Sequence, residues 1–111
     1  MFKKKHIHFV GIGGIGMSGI AQVLHKKGFK VSGSDLSQNQ IVKKLKKKMK
    51  IFSSHSADNI NNADIIVYSS AIKKNNIEIL TAKKLKIPVF SRAMMLAQVM
   101  RLKSSITVAG S

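Results

Sequence analysis

The chain has 111 residues, of which 44% are hydrophobic: one domain's worth of length and enough apolar material for a core, which excludes wholesale disorder. It contains no cysteine, so disulfide frameworks, thiolate zinc sites and cysteine nucleophiles are excluded, as expected of a reducing, cytoplasmic setting. Twenty Lys and Arg against four Asp and Glu give a net charge of +16, and all of those cations except Arg92 and Arg101 are lysine.

Taken in order, the residues predict strands alternating with helices. His6–Val10 reads as a short strand ending at a glycine turn. A helix follows over residues 15–27, with Ile20, Val23 and Leu24 at helical spacing and Gly28 just past its last turn. Residues 29–33 form a second strand. Residues 38–48 form a second helix, with Ile41, Val42, Leu45 and Met49 on one face and lysines on the other. Residues 50–53 read as a third strand and 58–61 as a helical turn. Residues 64–68 are a fourth strand, apolar enough to be covered on both faces. Asn75 or Asn76 caps a helix running to Leu85. A fifth strand covers 88–90, and a helix covers 92–100 with Met94, Met95 and Met100 in its core. Residues 106–109 begin a sixth strand. This order predicts a doubly wound, Rossmann-like α/β fold, a parallel sheet with helices on both faces.

The strongest local signal is Gly11-Ile12-Gly13-Gly14-Ile15-Gly16, a GxGxxG that follows one predicted strand and opens a helix. The first glycine permits a tight turn. The second lets backbone approach a diphosphate, and the third lets helix pack on strand. Backbone N–H groups at the helix start then face the phosphates. Asp35 closes the second strand at the spacing of an acid that accepts from a ribose hydroxyl or a base N–H. Ser69 and Ser70 stand at the carboxyl end of the fourth strand, where such sheets bind ligands, and point to a ribose or phosphate contact. His6, His8, His25 and His55 lack the carboxylate or thiolate companions of a metal site, so no metal is expected. The run KKLKKKMK reads as a solvated helix face.

These segments also carry a family resemblance. Gly13-Gly14, Gly16-Met17-Ser18-Gly19-Ile20-Ala21 and Gly33-Ser34-Asp35 resemble the opening of the Mur ligases of peptidoglycan synthesis, in their alanine-adding form. Val67-Tyr68-Ser69-Ser70-Ala71-Ile72 is similar to that family's serine loop. Ile87-Pro88-Val89 and Arg92-Ala93-Met94-Met95-Leu96 resemble a later strand and helix. Ile106-Thr107-Val108-Ala109-Gly110-Ser111 resembles the strand before the ATP-binding loop.

The resemblance implies a ligase whose first domain, residues 1–105 here, holds the UDP of UDP-N-acetylmuramate. Gly11, Gly13, Gly14, Ile15, Gly16, Asp35, Ser69, Ser70 and Ala71 would form that site, and His55 matches a histidine that would line it. Residues 106–111 would begin a central domain that uses ATP and magnesium to phosphorylate the muramate carboxylate for attack by L-alanine. Gly110 and Ser111 would open its phosphate loop. The lysine and magnesium-binding hydroxyl of that loop are expected beyond Ser111, so these residues by themselves are expected to bind no cofactor and to lack activity. One departure is local: where family members end the second helix with a glycine, residues 46–50 are Lys-Lys-Lys-Met-Lys, which puts the register of the third strand in question.

Two other classes compete. An NAD-binding domain would share the fold and Asp35 but needs neither the Gly-Met-Ser-Gly nor the Ser-Ser-Ala segment. A nucleic-acid module would need aromatic platforms or arginine edges, and the chain has one Tyr and no Trp. The uncharged stretch from Phe9 to Leu24 follows three lysines as a signal peptide would, but its five glycines and its length, short of the ~20 residues of a bilayer span, argue against export or a membrane. The excess of Lys, Ile and Asn is what an A/T-rich coding sequence produces. DNA binding is therefore expected to be weak, without base preference and lost steeply with salt. A salt titration checks this, and tight, sequence-selective binding at physiological salt would contradict it.

Overall fold

A computed structural model describes the backbone of residues 5–110 and the side chains of residues 5–101. Its elements are β1 (His6–Val10), α1 (Met17–Lys26), β2 (Lys30–Ser34), α2 (Gln40–Leu45), β3 (Lys50–Phe52), a 3-10 turn (Ala57–Ile60), β4 (Ile65–Tyr68), α3 (Ile77–Lys84), β5 (Val89–Ser91) and α4 (Arg92–Gly110). The five strands form one sheet in the order β3-β2-β1-β4-β5, and every pairing is parallel. The predicted doubly wound α/β fold is the one observed. The strand order reverses between β1 and β4, so their carboxyl ends flank the crevice where such sheets take ligands.

Alternation along β1 sorts the two faces. Ile7 and Phe9 join Met17, Ile20, Leu24, Val31, Leu45, Val67, Met95 and Val99 in the larger core, under α1, α2 and α4. Val10 faces the other way, with Ile60, Ile66 and Ala82, under the 3-10 turn and α3. His6 and His8 share that second face and are buried. Two buried imidazoles in the central strand require partners, and the partners shape the site described below.

Several sequence expectations need correction. α2 is shorter than 38–48. Asn39 caps it by accepting from the Val42 N–H at 2.9 Å, and the adjoining lysines, like charges packed side by side, close it in a turn by Leu45. Val42, Leu45 and Met49 are buried as expected, whereas Ile41 is 43% exposed, off the apolar stripe. Lys48 N–H and Met49 N–H both donate to the Leu45 carbonyl, which ends the helix without a glycine. The register of β3 stays regular, with Ser34 opposite Phe52. In α4 only Met95 of the three methionines is core; Met94 and Met100 are exposed.

Residues 106–109 are helical and not a sixth strand, since α4 runs on to Gly110. Nothing between Met100 and Ile106 breaks a helix, and a lone strand would leave its backbone groups unpaired. No described helix is long and apolar enough to cross a membrane.

Close packing also explains Gly33. A Cβ there would lie 2.6 Å from Ile12 Cδ1 and 3.0 Å from the Phe9 carbonyl oxygen, because Ile12 plugs the core from inside the glycine loop. Gly33→Ala is expected to cost ~1–3 kcal/mol through overpacking. Gly19, exposed on α1, meets nothing within 4 Å. Gly19→Ala is expected to gain about 0.5–1 kcal/mol of helix stability. Urea midpoints of the two variants read this out, and a pair shifting in the same direction would contradict it.

Candidate nucleotide-binding site

The glycine loop leaves β1 by a tight turn at Gly11, whose φ is +79°. The N–H groups of Gly11 and Ile12 both donate to the Ser34 carbonyl, at 2.8 and 3.1 Å, which ties the loop to the end of β2. Gly14 N–H donates to the Gly11 carbonyl and Met17 N–H to the Gly14 carbonyl. Gly13 N–H donates to Asp35 Oδ2 at 2.7 Å, while Asp35 Oδ1 accepts from Ser37 N–H at 2.8 Å. Among the described residues, the N–H groups of Ile15 and Gly16 have no acceptor. They precede α1 and form the anion-facing part of the loop.

Two expected glycine roles change. A Cβ on Gly13 would lie 2.7 Å from Val42 Cγ2 and 2.9 Å from Asp35 Oδ2, so this glycine accommodates α2 and the acid and does not simply clear space for a diphosphate. Gly16 is not the helix–strand contact. It caps α1 at φ +79°, a left-handed conformation that a side chain resists, and a Cβ there would meet Arg92 Nη1 at 3.2 Å. The close approach that requires a glycine is instead between β2 and the loop, at Gly33 against Ile12.

The serine loop sits against the glycine loop. Ser69 N–H donates to the Val10 carbonyl at 3.1 Å, and Ser69 Oγ is 2.8 Å from where a Gly11 Cβ would stand. Ser69 Oγ has no hydrogen-bond partner among the described residues, and Ser70 and Ala71 beside it are exposed. Arg92, at the start of α4, brings its guanidinium to Gly16. No described carboxylate lies within ion-pair distance of it, so it is a positive charge beside the loop. Ser111 lies outside the described residues, and the backbone of Gly110 is the last residue of α4.

His55, after β3, turns Nδ1 inward, 2.9 Å from Ser34 Oγ and 3.1 Å from Glu78 Oε2. Sequence reasoning missed Glu78, which is fully buried in the first turn of α3. Its Oε1 accepts from His8 Nε2 at 2.6 Å and from Ser34 Oγ at 2.9 Å. Its Oε2 accepts, besides His55, from Ser56 N–H and Asn59 Nδ2, each at 3.1 Å. The chain continues from His8 Nδ1 through Ser32 Oγ at 2.8 Å to His6 Nε2 at 2.7 Å, and His6 Nδ1 meets the Asn62 carbonyl at 3.1 Å. Four contacts from Asn62 to Glu78 need four hydrogens, whereas two neutral rings and one hydroxyl bring three. One further proton therefore sits in this chain of groups. Burial disfavours it on His6, which leaves it in the short contact between His8 and the Glu78 carboxylate.

Two signals could have found these groups. Glu78 is the single glutamate of a lysine-rich chain, two residues after a capping Asn76, and Arg92 is one of only two arginines. Among the described residues no set of three His, Asp or Glu is placed to hold a metal ion.

Residues 6–104 match the Mur ligase family, catalytic domain. The chain belongs to the Mur ligase family. It is 54% identical to the UDP-N-acetylmuramate–L-alanine ligase of Ruthia magnifica subsp. Calyptogena magnifica, covering 100% of this chain and 24% of that protein. Among solved structures, it resembles the UDP-N-acetylmuramate–alanine ligase of Thermotoga maritima at 35% identity and TM-score 0.83, covering 86% of this chain and 23% of that one. The UDP-N-acetylmuramate:L-alanyl-gamma-D-glutamyl-meso-diaminopimelate ligase of Neisseria meningitides matches at 27% identity and TM-score 0.77, covering 86% of this chain and 31% of that one. The chain thus spans about a quarter of the length of its curated relatives.

The buried network makes the fold acid-sensitive. For His6, burial lowers the pKa; the Asn62 hydrogen bond opposes this, and the charges on Lys30 and His8 add to it. For Glu78, burial opposes ionisation, but the hydrogen bond and charge of His8, with bonds from Asn59 and Ser34, hold the pKa below the usual carboxylate range. Below the ordinary histidine range the unfolded chain takes a proton that folded His6 refuses, so stability falls. Below the ordinary glutamate range it falls again, until Glu78 itself is protonated. Urea midpoints should therefore drop between about pH 7 and pH 4, and a midpoint that rises on acidification would contradict the network.

Proposed function

We propose that this chain is the UDP-binding domain of a cytoplasmic ligase that uses ATP to join L-alanine to UDP-N-acetylmuramate in peptidoglycan synthesis. The observation that carries the reading is 54% identity, along the whole chain, to a protein named for that reaction. The geometry supports it. At the carboxyl ends of β1 and β4 the N–H groups of Ile15 and Gly16, Ser69 Oγ and the Arg92 guanidinium offer hydrogen bonds and charge suited to a diphosphate. Ser70, Ala71 and His55 border the same crevice and would contact the nucleoside.

Gly11, Gly13 and Gly14 shape the loop, because their N–H groups already have partners. Asp35 holds the loop to β2 through Gly13 and has one lone pair on each oxygen left for a ligand. We assign residues 1–105 to this domain and Gly110-Ser111 to the start of an ATP loop. Magnesium and ATP supply carboxylate activation in such a ligase. The 111 residues contain no Gly-Lys-Thr or Gly-Lys-Ser run, so by themselves they are proposed to bind neither group and to release no phosphate in response to alanine. The domain holds the UDP end while the chemistry proceeds elsewhere.

Calorimetry compares UDP-N-acetylmuramate with NADH. The expected result is measurable heat and a defined affinity for the UDP-sugar alone. Tighter binding of NADH would overturn the reading.

A further inference from the structure

We propose that Glu78 is a positioning residue of the nucleotide site: it fixes the His55 ring with Nδ1 inward, so that Nε2 faces the crevice as a hydrogen-bond acceptor for a donor on the bound nucleoside. The proposal rests on the UDP-binding reading and deepens it.

Glu78 is fully buried and ionised, so every group around its two oxygens donates: His8, Ser34, His55, the Ser56 N–H and Asn59. The Ser34 hydroxyl hydrogen goes to Glu78 Oε1. His55 Nδ1 must therefore carry its own hydrogen, shared between Ser34 Oγ and Glu78 Oε2. In the neutral ring Nε2 is then the unprotonated nitrogen. Among the described residues Nε2 has no partner, and no buried side-chain nitrogen or oxygen is left without one, so Nε2 reaches the accessible side of a side chain that is 14% exposed.

The same end of β2 carries Asp35, whose N–H donates to the Phe52 carbonyl, and Ser34, whose carbonyl holds the glycine loop. The His55 ring is thus held at the same end of β2 that holds the glycine loop, the end at which the nucleoside would lie. The other charged or titratable groups facing this cluster are His8 and, one hydroxyl farther, His6; Lys30 and Asp64 flank His6.

A phosphate oxygen carries no hydrogen to give, so an acceptor here selects the nucleoside. The candidate donors are the ribose hydroxyls and the uracil N3–H. Analogues of UDP separate them: 2′-deoxy-UDP, 3′-deoxy-UDP and N3-methyl-UDP.

Three measurements on the 111-residue chain test the proposal. First, nitrogen-15 spectra of the ligand-free chain, above the histidine range, should show His55 as the Nδ1–H tautomer. An Nε2–H tautomer overturns the proposal. Second, His55→Asn keeps a donor at the Nδ1 position but has nothing at Nε2. UDP affinity should fall about five- to tenfold with the thermal midpoint nearly unchanged. The analogue lacking the donor should bind parent and variant alike. An unchanged UDP affinity overturns the proposal.

Third, Glu78→Gln places an amide N–H against donors, so it should lower affinity in the parent and add little in the His55→Asn background. Losses that simply add assign Glu78 to the fold alone and overturn its positioning role. If Glu78→Gln does not fold, the tautomer and His55→Asn decide. A parent that binds no UDP overturns the ligand reading, while the tautomer still decides whether Glu78 orients the ring.

Discussion

A single buried carboxylate ties this fold together. Glu78 reaches from α3 under the sheet and accepts from β1, β2, the loop after β3 and the 3-10 turn at once. An ionised carboxylate with no solvent exposure survives only because its oxygens are fully matched by donors, the His8 ring at 2.6 Å among them. Removing one side of such a pair typically costs about 3–5 kcal/mol, because the other side is left charged and buried. The arrangement also couples two regions that packing alone would leave independent: the amino-terminal end of β1, where His6 meets Asn62, and the carboxyl end of β2, where Ser34 and His55 border the crevice.

The glycine loop is likewise a matter of counting donors. Of the N–H groups from Gly11 to Gly16, four have partners among the described residues and two do not. The loop is built by the first four and serves a ligand through Ile15 and Gly16. Asp35 belongs to the building set, since it fastens Gly13. Arg92 adds the charge that neutral N–H groups cannot supply, and it comes from the far edge of the sheet, carried under the loop by the start of α4.

Much of this was legible from local pattern. β1 was located to the residue, the helix after the glycine loop and the Asn76 cap were found, and the strand–loop–helix–strand–acid sequence implied the crevice. Its limits have physical causes. Glu78 and His8 lie 70 residues apart and meet only because the β1–β4 reversal puts α3 under β1, which no local window contains. Ile41 and Met100 were assigned to the core by hydrophobicity, but burial depends on which side of a helix meets the sheet. Residues 106–109 are β-branched enough to read as strand, yet helix continues where nothing interrupts it. The roles of Gly13, Gly16 and Gly33 required knowing which atoms stand where a Cβ would be.

The account's central claim is that a UDP-sugar sits at the β1–β4 crevice, above the Glu78 network. The most direct test is an amide and imidazole chemical-shift titration of the 111-residue chain with UDP-N-acetylmuramate. The account predicts the largest changes at Ile15, Gly16, His55, Ser69, Ser70 and Arg92, with Lys5, Asn62 and the other amino-terminal strand ends unmoved. Changes centred on those amino-terminal ends, or spread evenly over the lysine surface, would contradict it.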